Sequence, residues 1–253
     1  QKFSQVTNPP IDSLREQSRM SLKTRFGNLR DVLDSNSYQD NVFVMDSPII
    51  TNSIFAKMMK FGQEVTKIID CSFDLKRISL KETIKRIQNE AEAAVLSGKQ
   101  HVVLTDINTD RDKVSVPIIL ATAAVHTFLT RKGIRSFVSI HTQSAECLDT
   151  HYFAVLIGVG ATTVNPYLAQ ECIRERHEKG LFKKLSYEEC VQRYKKAVDQ
   201  GLLKVMSKLG ISVLSAYRGG FNFEAVGLSR SMVNEYFLGV QSRISGIGLT
   251  GIE

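Results

Sequence analysis

The sequence predicts an α/β fold in which parallel βα units surround one sheet, open or partial-barrel-like, behind an irregular N-terminal arm. Three observations predict this fold. A helical pattern, a glycine and a short β-branched segment follow one another four times along the chain. Two of these helices open with a capping box, and no low-complexity linker interrupts the series. Because alternating helices and strands are typical of parallel sheets, we expect one structural unit built from these repeats.

The first helix is predicted over residues 80–97, where apolar residues recur at helical spacing. Ser79 and Glu82 form its capping box, and Gly98 supplies the left-handed residue that ends it. Further helices are predicted on the same grounds over residues 117–132, 144–157, 186–209 and 230–237.

Short strands are predicted between these helices, because each segment is rich in β-branched residues and follows a glycine or precedes a helix. They are residues 66–70, 101–105, 136–140, 162–165 and 211–217. Residues 1–60 lack this alternation: residues 13–24 are expected to form a helix, and Asn8, Pro9 and Pro10 to be extended. We therefore expect an arm of residues 1–60 that packs on an α/β domain of residues 61–253, the whole forming one unit.

Composition and charge exclude several classes of protein. With 253 residues, 43% of them hydrophobic, the chain can bury a core without disulfides or structural metals. The four cysteines form no Cys-x-x-Cys pair, and no apolar segment of about 18 residues occurs, which predicts reduced thiols and a cytoplasmic or organellar protein without a membrane span. The net charge of +7 favours acidic partners, but mixed charges and the absence of interleaved aromatics argue against nucleic acid.

Ligand sites in parallel α/β folds lie at the carboxyl ends of strands, where loops and helix N-termini meet. The candidates at the predicted strand ends are Asp70, Asp106, His141, Asn165, Arg218 and Gly219. Asp106 and Asp110 could supply a general base or a cation site, although turn-forming aspartates are the commoner explanation of such a segment. Arg218, followed by two glycines, could bind a phosphate or carboxylate, with a structural turn as the alternative.

Metal and nucleotide motifs are incomplete. Cys147 and His151 lie four residues apart on one predicted helix face, but zinc needs four ligands and no second pair is visible. Gly158 and Gly160 match half of a dinucleotide fingerprint at a helix end, which has the wrong polarity for a phosphate. The residues alone predict an α/β domain without a self-contained active site. A free-standing phosphate- or flavin-binding enzyme and a basic nucleic-acid module remain the alternatives.

Five segments resemble the central domain of glutamate synthase, in the same order, and the chain is similar to the NADPH-dependent bacterial type. They are residues 5–22 (QVTNPPIDSLREQSRMSL), 47–52 (SPIITN), 150–169 (THYFAVLIGVGATTVNPYLA), 196–219 (KAVDQGLLKVMSKLGISVLSAYRG) and 223–228 (FEAVGL). One departure is the family's L-S-D-R segment, which here reads LTDI at residues 104–107 and so lacks the arginine.

The resemblance implies a domain that connects a glutamine amidotransferase domain to an FMN-binding synthase domain with an iron-sulfur cluster. Ammonia would pass inside the protein between them, and the whole enzyme would be an oxidoreductase that forms L-glutamate from glutamine and 2-oxoglutarate. The resemblance implies no catalytic residue, no metal and no complete cofactor site in this chain itself. It places Met20 of the RMSL segment on the flavin side of the domain. It leaves open the electron donor, whether NADPH, NADH or ferredoxin.

Overall fold

The protein is described by a computed structural model over Glu16, residues 18–30 and residues 42–253. Its strands are β1 (Thr24–Phe26), β2 (Phe43–Met45), β3 (Thr66–Asp70), β4 (Ser72–Phe73), β5 (His101–Thr105), β6 (Val114–Ser115), β7 (Ser139–Gln143), β8 (Thr163–Asn165), β9 (Glu224–Leu228) and β10 (Gln241–Ile247). Its α-helices are α1 (Asn52–Phe61), α2 (Leu80–Leu96), α3 (Ile118–Arg131), α4 (Thr150–Gly158), α5 (Tyr167–Glu178), α6 (Tyr187–Lys208), α7 (Leu214–Tyr217), α8 (Arg230–Tyr236) and α9 (Leu249–Ile252).

The centre of the fold is a parallel sheet in the order β3-β5-β7-β8, which is also the order of these strands along the chain. Helices α2, α3 and α4 connect successive strands, so right-handed crossovers place all three on one face of the sheet. Neighbouring strands that follow chain order are the arrangement of part of a (β/α) barrel. The predicted α/β fold with parallel βα units is confirmed.

Side chains of the sheet alternate between the helices and the opposite face, which we call the inner face. Val102, Leu104 and Ile140 are fully buried in the main hydrophobic core together with the apolar sides of the helices. Val103 points the other way and packs with Ile50 and Phe55 in a second, smaller cluster. The sheet is therefore covered by its crossover helices on one side and by the N-terminal segment on the other.

Residues of the N-terminal arm are joined to the sheet by hydrogen bonds. Ile49 pairs with Val164 of β8 as a parallel bridge, through bonds of Ile50 N to Val164 O and of Val164 N to Pro48 O, both 2.9 Å. Strands β1 and β2 form an antiparallel ribbon, and Gly27 beside it exchanges hydrogen bonds with the Ser139 hydroxyl at 2.8 and 3.0 Å. The described part of the arm thus extends the sheet by one residue pair and covers its inner face.

The capping boxes predicted the helix starts correctly. Ser79 with Glu82 opens α2, and Ser186 with Glu189 opens α6, each with both reciprocal hydrogen bonds. The helix predicted over residues 117–132 is α3, which begins one residue later because Pro117 is its N-cap, and the helix predicted over residues 230–237 is α8.

Three predicted elements were wrong in position or type. The helix predicted over residues 144–157 begins only at Thr150, because Asp149 provides the N-cap and residues 144–148 form a loop. The strand predicted over residues 136–140 is a 3-10 turn, Arg135–Phe137, followed by β7. Residues 211–217 do not enter the sheet: Val213 pairs with Ser21 of the arm, and the chain then forms α7.

Several elements have no counterpart in the prediction. Helices α1 and α5 and the strands β9 and β10 were not predicted; β9 and β10 pair in parallel across α8. The helix predicted over residues 13–24 lies partly outside the described residues, and its last residue, Thr24, begins β1 instead. Asn8, Pro9 and Pro10 also lie outside them. Within the described ranges, no helix is both long enough and apolar enough to span a bilayer.

Candidate functional site

The carboxyl-terminal edge of the sheet is organised around Asp106, which follows β5 and is 3% exposed. Its carboxylate accepts hydrogen bonds from the Ser144 hydroxyl at 2.5 Å and from the Ala145 backbone N–H at 2.9 and 3.1 Å. The pKa of the Tyr167 phenol, at the start of α5, is raised by burial and then by the charge and hydrogen bonding of Asp106. Asp106 therefore joins the ends of three consecutive βα units.

A second acid, Glu146, lies in the same loop after β7. It accepts hydrogen bonds from the backbone N–H of Ile118, at 3.1 Å, and from the hydroxyl of Tyr152. Burial raises the pKa of Glu146, although both hydrogen bonds act in the opposite direction. This carboxyl group caps the start of α3, where an acid is favourable next to the helix dipole.

Asp70 and Asn165 complete the edge. Asp70 accepts hydrogen bonds from Ser72 N at 2.8 Å and from Asn108 Nδ2 at 3.0 Å. Burial raises the pKa of Asp70, but these hydrogen bonds and the Arg86 charge outweigh it and lower the pKa overall. Asn165 donates to Ile50 O at 3.0 Å and to Asn52 Oδ1 at 2.9 Å.

Asp110, in contrast, accepts bonds from its own turn, at Asp112 N and Lys113 N. The structure therefore does not pair Asp110 with Asp106 through a shared hydrogen bond. The acids of the carboxyl edge are satisfied by neighbouring loops, which is the arrangement of a structural joint, whereas Asn165 Oδ1 is buried without a partner among the described residues.

His141 was predicted at a strand end and lies instead in the middle of β7, on the inner face. Its Nε2 lies 3.0 Å from Nδ1 of His101, and its Nδ1 lies 2.6 Å from the Thr163 hydroxyl. Burial lowers the pKa of both rings, that of His101 to about 4. The error follows from the register, since β7 begins three residues later than predicted. The two neutral imidazoles and the Thr163 hydroxyl form a row across β5, β7 and β8.

Arg218 and Gly219 lie at the opposite, amino-terminal edge of the sheet. Gly219 N donates to Ile157 O at 3.2 Å, and a Cβ at Gly219 would lie 2.8 Å from the His126 ring. The Nε and Nη2 atoms of Arg218 are buried without a hydrogen-bond partner in the part of the chain that the structure describes. The predicted strand over residues 211–217 is absent from the sheet, and this places Arg218 away from Asp106.

Arg135 and His126 share this amino edge, and the contact between them was not predicted from the sequence. Arg135 donates from Nε to His126 Nδ1 at 3.0 Å, from Nη1 to Val138 O at 2.6 Å and from Nη2 to Gly160 O at 2.9 Å. Gly160 has φ +118, and a Cβ there would overlap the His126 ring at 2.2 Å. Nothing in the spacing of these residues signals the contact, because it joins helix α3 to the 3-10 turn at Arg135 and to the loop at Gly160.

Met20 and the cysteines are placed in or near packed regions. Met20 is 7% exposed in the main core. Cys147 precedes α4 and is buried while His151 is exposed, so the two do not share a helix face as predicted. Across the described ranges, no group of three or more His, Cys, Asp or Glu residues could hold a metal ion.

The chain is similar to proteins of one known family. The family model described as glutamate synthase central domain matches residues 1–229. The large chain of NADPH glutamate synthase from Azospirillum brasilense is 54% identical over 255 residues, and that from Bacillus subtilis is 38% identical over 254 residues. Both alignments cover 100% of this chain, and the chain spans 17% and 16% of those relatives.

Among solved structures, a mutant flavocytochrome b2 with benzoylformate matches at a TM-score of 0.43 and 12% identity, over 52% of this chain and 31% of that one. So distant a likeness carries no argument about function. The family match extends over most of the chain, and the resemblance to the NADPH-dependent bacterial type is confirmed. The chain belongs to the glutamate synthase central-domain family.

Proposed function

We propose that this domain connects the glutamine-hydrolysing and flavin-dependent domains of a glutamate synthase and helps to confine ammonia between them. The proposal rests on family membership and on one observation: the domain exposes two separate apolar surfaces on opposite sides of its sheet. Because large exposed apolar patches mark interaction surfaces, they are suited to two flanking domains of the same polypeptide.

The first surface, which we call the β3-edge surface, consists of Phe43, Val44, Phe61 and Ile68. Phe61 is 85% exposed, and the other three are exposed by more than half. Ile68 belongs to β3, an edge strand of the central sheet, and its register with Val103 places it on the inner face. An edge strand with apolar neighbours favours contact with another structural unit.

The second surface, the ribbon surface, consists of Val226, Ile244 and Ile247 on the pair of β9 and β10, and each side chain is exposed by more than half. The ribbon lies behind the crossover helices, because α8 is fastened to α3. Thr127 Oγ1 donates to Tyr236 O at 2.8 Å, and Arg131 donates to the carbonyl of Asn234 at 2.9 Å. The two surfaces therefore lie on different sides of the sheet.

The cofactors implied by the family would be held outside the described part of this chain. An iron-sulfur cluster needs convergent thiolates. Cys71, Cys147, Cys172 and Cys190 lie on four separate elements, and burial raises the pKa of the Cys71 and Cys147 thiols. These cysteines do not fit such a cluster. FMN would supply the redox chemistry from the synthase domain, and this chain would exclude water and hold that domain in place.

The complete enzyme provides the test, because it can be assayed with glutamine or with added ammonia. Phe61→Ser and Val226→Ser, one in each surface, should lower glutamine-dependent turnover by about tenfold, since misplacement of coupled sites is costly. Ammonia-dependent turnover should change by less than about twofold, because the synthase chemistry stays intact. The measurement is the ratio of the two steady-state rates.

Leu181→Ser is the matched control, because Leu181 is 62% exposed but belongs to neither surface. Unchanged rate ratios in both surface variants would contradict the connecting role. In the same enzyme, Met20→Ala tests the proposed flavin-side contact: an unchanged flavin spectrum and turnover would remove Met20 from that site.

A further inference from the structure

A pocket of about 270 Å³ opens within the β3-edge surface, between helix α1 and the strands β1 and β2. Phe43, Val44 and Phe61 of that surface belong to its lining. Phe26 of β1 and His101, the first residue of β5, are the buried members of the lining. The pocket is therefore a concave part of the surface that we propose for a flanking domain.

The walls of this pocket are almost entirely apolar. Ile54, Met58 and Phe61 lie on one face of α1, because they are spaced by four and three residues. Across β1 and β2, the rings of Phe26 and Phe43 stack with their centroids 5.5 Å apart. Phe61 is 85% exposed, so an uncovered aromatic ring borders the pocket. Such a ring favours contact with another apolar side chain.

The volume of the pocket suits one aromatic side chain. An apolar cavity of about 150 Å³ is enough to hold benzene, and this pocket is larger. A ring inside it would meet the aromatic rings of the lining and the thioether of Met58, and both kinds of contact with a ring are favourable. Aromatic side chains buried in a pocket of the partner contribute much of the binding free energy at protein interfaces. An aromatic residue is therefore the best anchor for this pocket.

The border of the pocket is positively charged. Lys57 of α1 is exposed and belongs to the lining. Arg25 is exposed and lies opposite Val44 in the register of β1 and β2, so the two share one face of these strands. Lys23, also exposed, lies two residues before Arg25. Within the described ranges, none of these three cations forms an ion pair with an acid.

These cations call for a partner with carboxylates. Asp46 and Glu64 are the nearest described acids along the chain, and neither lines the pocket. Complementary charge therefore favours an acidic occupant. Because this chain spans 17% of the relative from Azospirillum brasilense, most of such a polypeptide lies outside the chain and can supply that occupant.

We propose that the pocket receives one aromatic side chain from a flanking domain of the same polypeptide, on a segment whose carboxylates pair with Lys57 and Arg25. This inference rests on the proposed connecting function, and it specifies the chemistry of the partner at the β3-edge surface. The aromatic ring would lie against Phe61, and the carboxylates would fix the orientation of the segment around it.

Photo-cross-linking in the complete polypeptide identifies the occupant. The photoreactive amino acid p-benzoylphenylalanine replaces Phe61, and mass spectrometry of the digested protein locates the cross-linked peptide. We expect one main cross-linked segment outside residues 1–253. It should contain an aromatic residue with an Asp or Glu within about four positions, since residues this close can share one face of a segment. The same replacement at Leu181, which is exposed outside both surfaces, should not label this segment.

Three results would overturn the proposal. Cross-links confined to residues 31–41, the acidic sequence DVLDSNSYQDN between β1 and β2, would show that the chain fills its own pocket. Covalently joined dimers on a denaturing gel would show that a second copy fills it. A segment without a carboxylate, or no specific cross-link, would reject an acidic aromatic partner.

Charge reversal tests the contact with carboxylates. In the photoreactive protein, Lys57→Glu should lower the yield of the expected cross-link by about fivefold or more, because it brings like charges together. Lys57→Arg keeps the charge and should leave the yield within about twofold. Lys81→Glu is the matched control, since it reverses an exposed charge in the first turn of α2, where an acid is favourable. Equal yields in Lys57→Glu and Lys81→Glu would reject the contact.

The rate ratio of Phe61→Ser separates a failure of this inference from a failure of the connecting function. A lowered ratio without the expected cross-link would retain the connecting function and reject only this partner. Unchanged ratios in both surface variants would reject the connecting function, whatever the cross-links show.

Discussion

The two edges of the central sheet are both polar, but they differ in how their charges are satisfied. At the carboxyl edge, Asp106 is buried and accepts three hydrogen-bond contacts from the loop after β7. At the amino edge, Arg218 is buried with two side-chain nitrogens that have no partner among the described residues. Within the described residues, the same sheet thus ends in a hydrogen-bonded joint on one side and in a charge without a partner on the other.

This difference reverses the usual expectation for the fold. Parallel α/β proteins bind ligands at the carboxyl ends of strands, and the sequence analysis placed every candidate there. In this domain the acids of that edge stabilise loops. Asn165 Oδ1 lacks a partner there among the described residues, but the charged group with unpartnered donors, Arg218, lies at the opposite edge.

The largest expected effect on stability is at the carboxyl edge, where the hydrogen bonds of Asp106 lie. Asp106→Ala should lower the free energy of unfolding by about 3 kcal/mol, because it leaves the Ser144 hydroxyl and the Ala145 N–H buried without an acceptor. Urea unfolding followed by circular dichroism measures the change. Asp112→Ala is the control, since Asp112 is exposed, and it should change stability by less than about 0.5 kcal/mol. Equal effects of the two substitutions would show that Asp106 does not join the loops.

A smaller effect on stability is expected at the amino edge when the pH is lowered. Burial, and then the charges of Arg135 and Arg218, lower the pKa of His126 to about 3, whereas its unfolded value is 6.5. The unfolded state therefore binds the proton first, so the stability from neutral His126 is complete above about pH 6.5 and is lost as the pH falls toward 3. His126→Asn retains an acceptor for Arg135 and should lose about 2 kcal/mol less stability than wild type between pH 7 and pH 4.5.

Unfolding free energies of both proteins across this range measure the difference. His151→Asn is the control, because His151 is exposed. Parallel curves for wild type and His126→Asn would mean that His126 is not held neutral. At the carboxyl edge the sign is opposite, because the raised pKa of Glu146 favours the folded state at lower pH.

The smallest expected effect is a rise in the free energy of unfolding, not a fall. Arg218→Met keeps an unbranched apolar stem, although a shorter one, and removes a buried charge that has no partner among the described residues. In chloride buffer it should therefore raise the free energy of unfolding by about 1 kcal/mol. Arg243→Met, which breaks an exposed ion pair, should change it by less than about 0.5 kcal/mol. Destabilisation by Arg218→Met would show that the guanidinium group is already neutralised and would remove the contrast between the edges.

Short sequence motifs predicted those helix boundaries that depend only on residues close together in the chain. The capping boxes at Ser79 and Ser186 predicted α2 and α6, because an N-cap is satisfied within three residues. The strand at residues 211–217 failed because a β-branched segment can pair with any available edge, and here Val213 pairs with Ser21 of the arm. The helix over residues 144–157 failed because Ser144 and Ala145 bind Asp106 instead.

The sequence by itself determined the family, the parallel βα units and the starts of α2 and α6, since each is encoded in contiguous segments. Only the tertiary structure decided which polar residues meet. It pairs Asp106 with Ser144 and brings Gly160 against the His126 ring, and these residues are distant in the chain. It also leaves two Arg218 donors without a partner among the described residues. Hydrogen bonding and burial depend on distances in space, and spacing along the chain does not specify these distances once the segments are connected by loops.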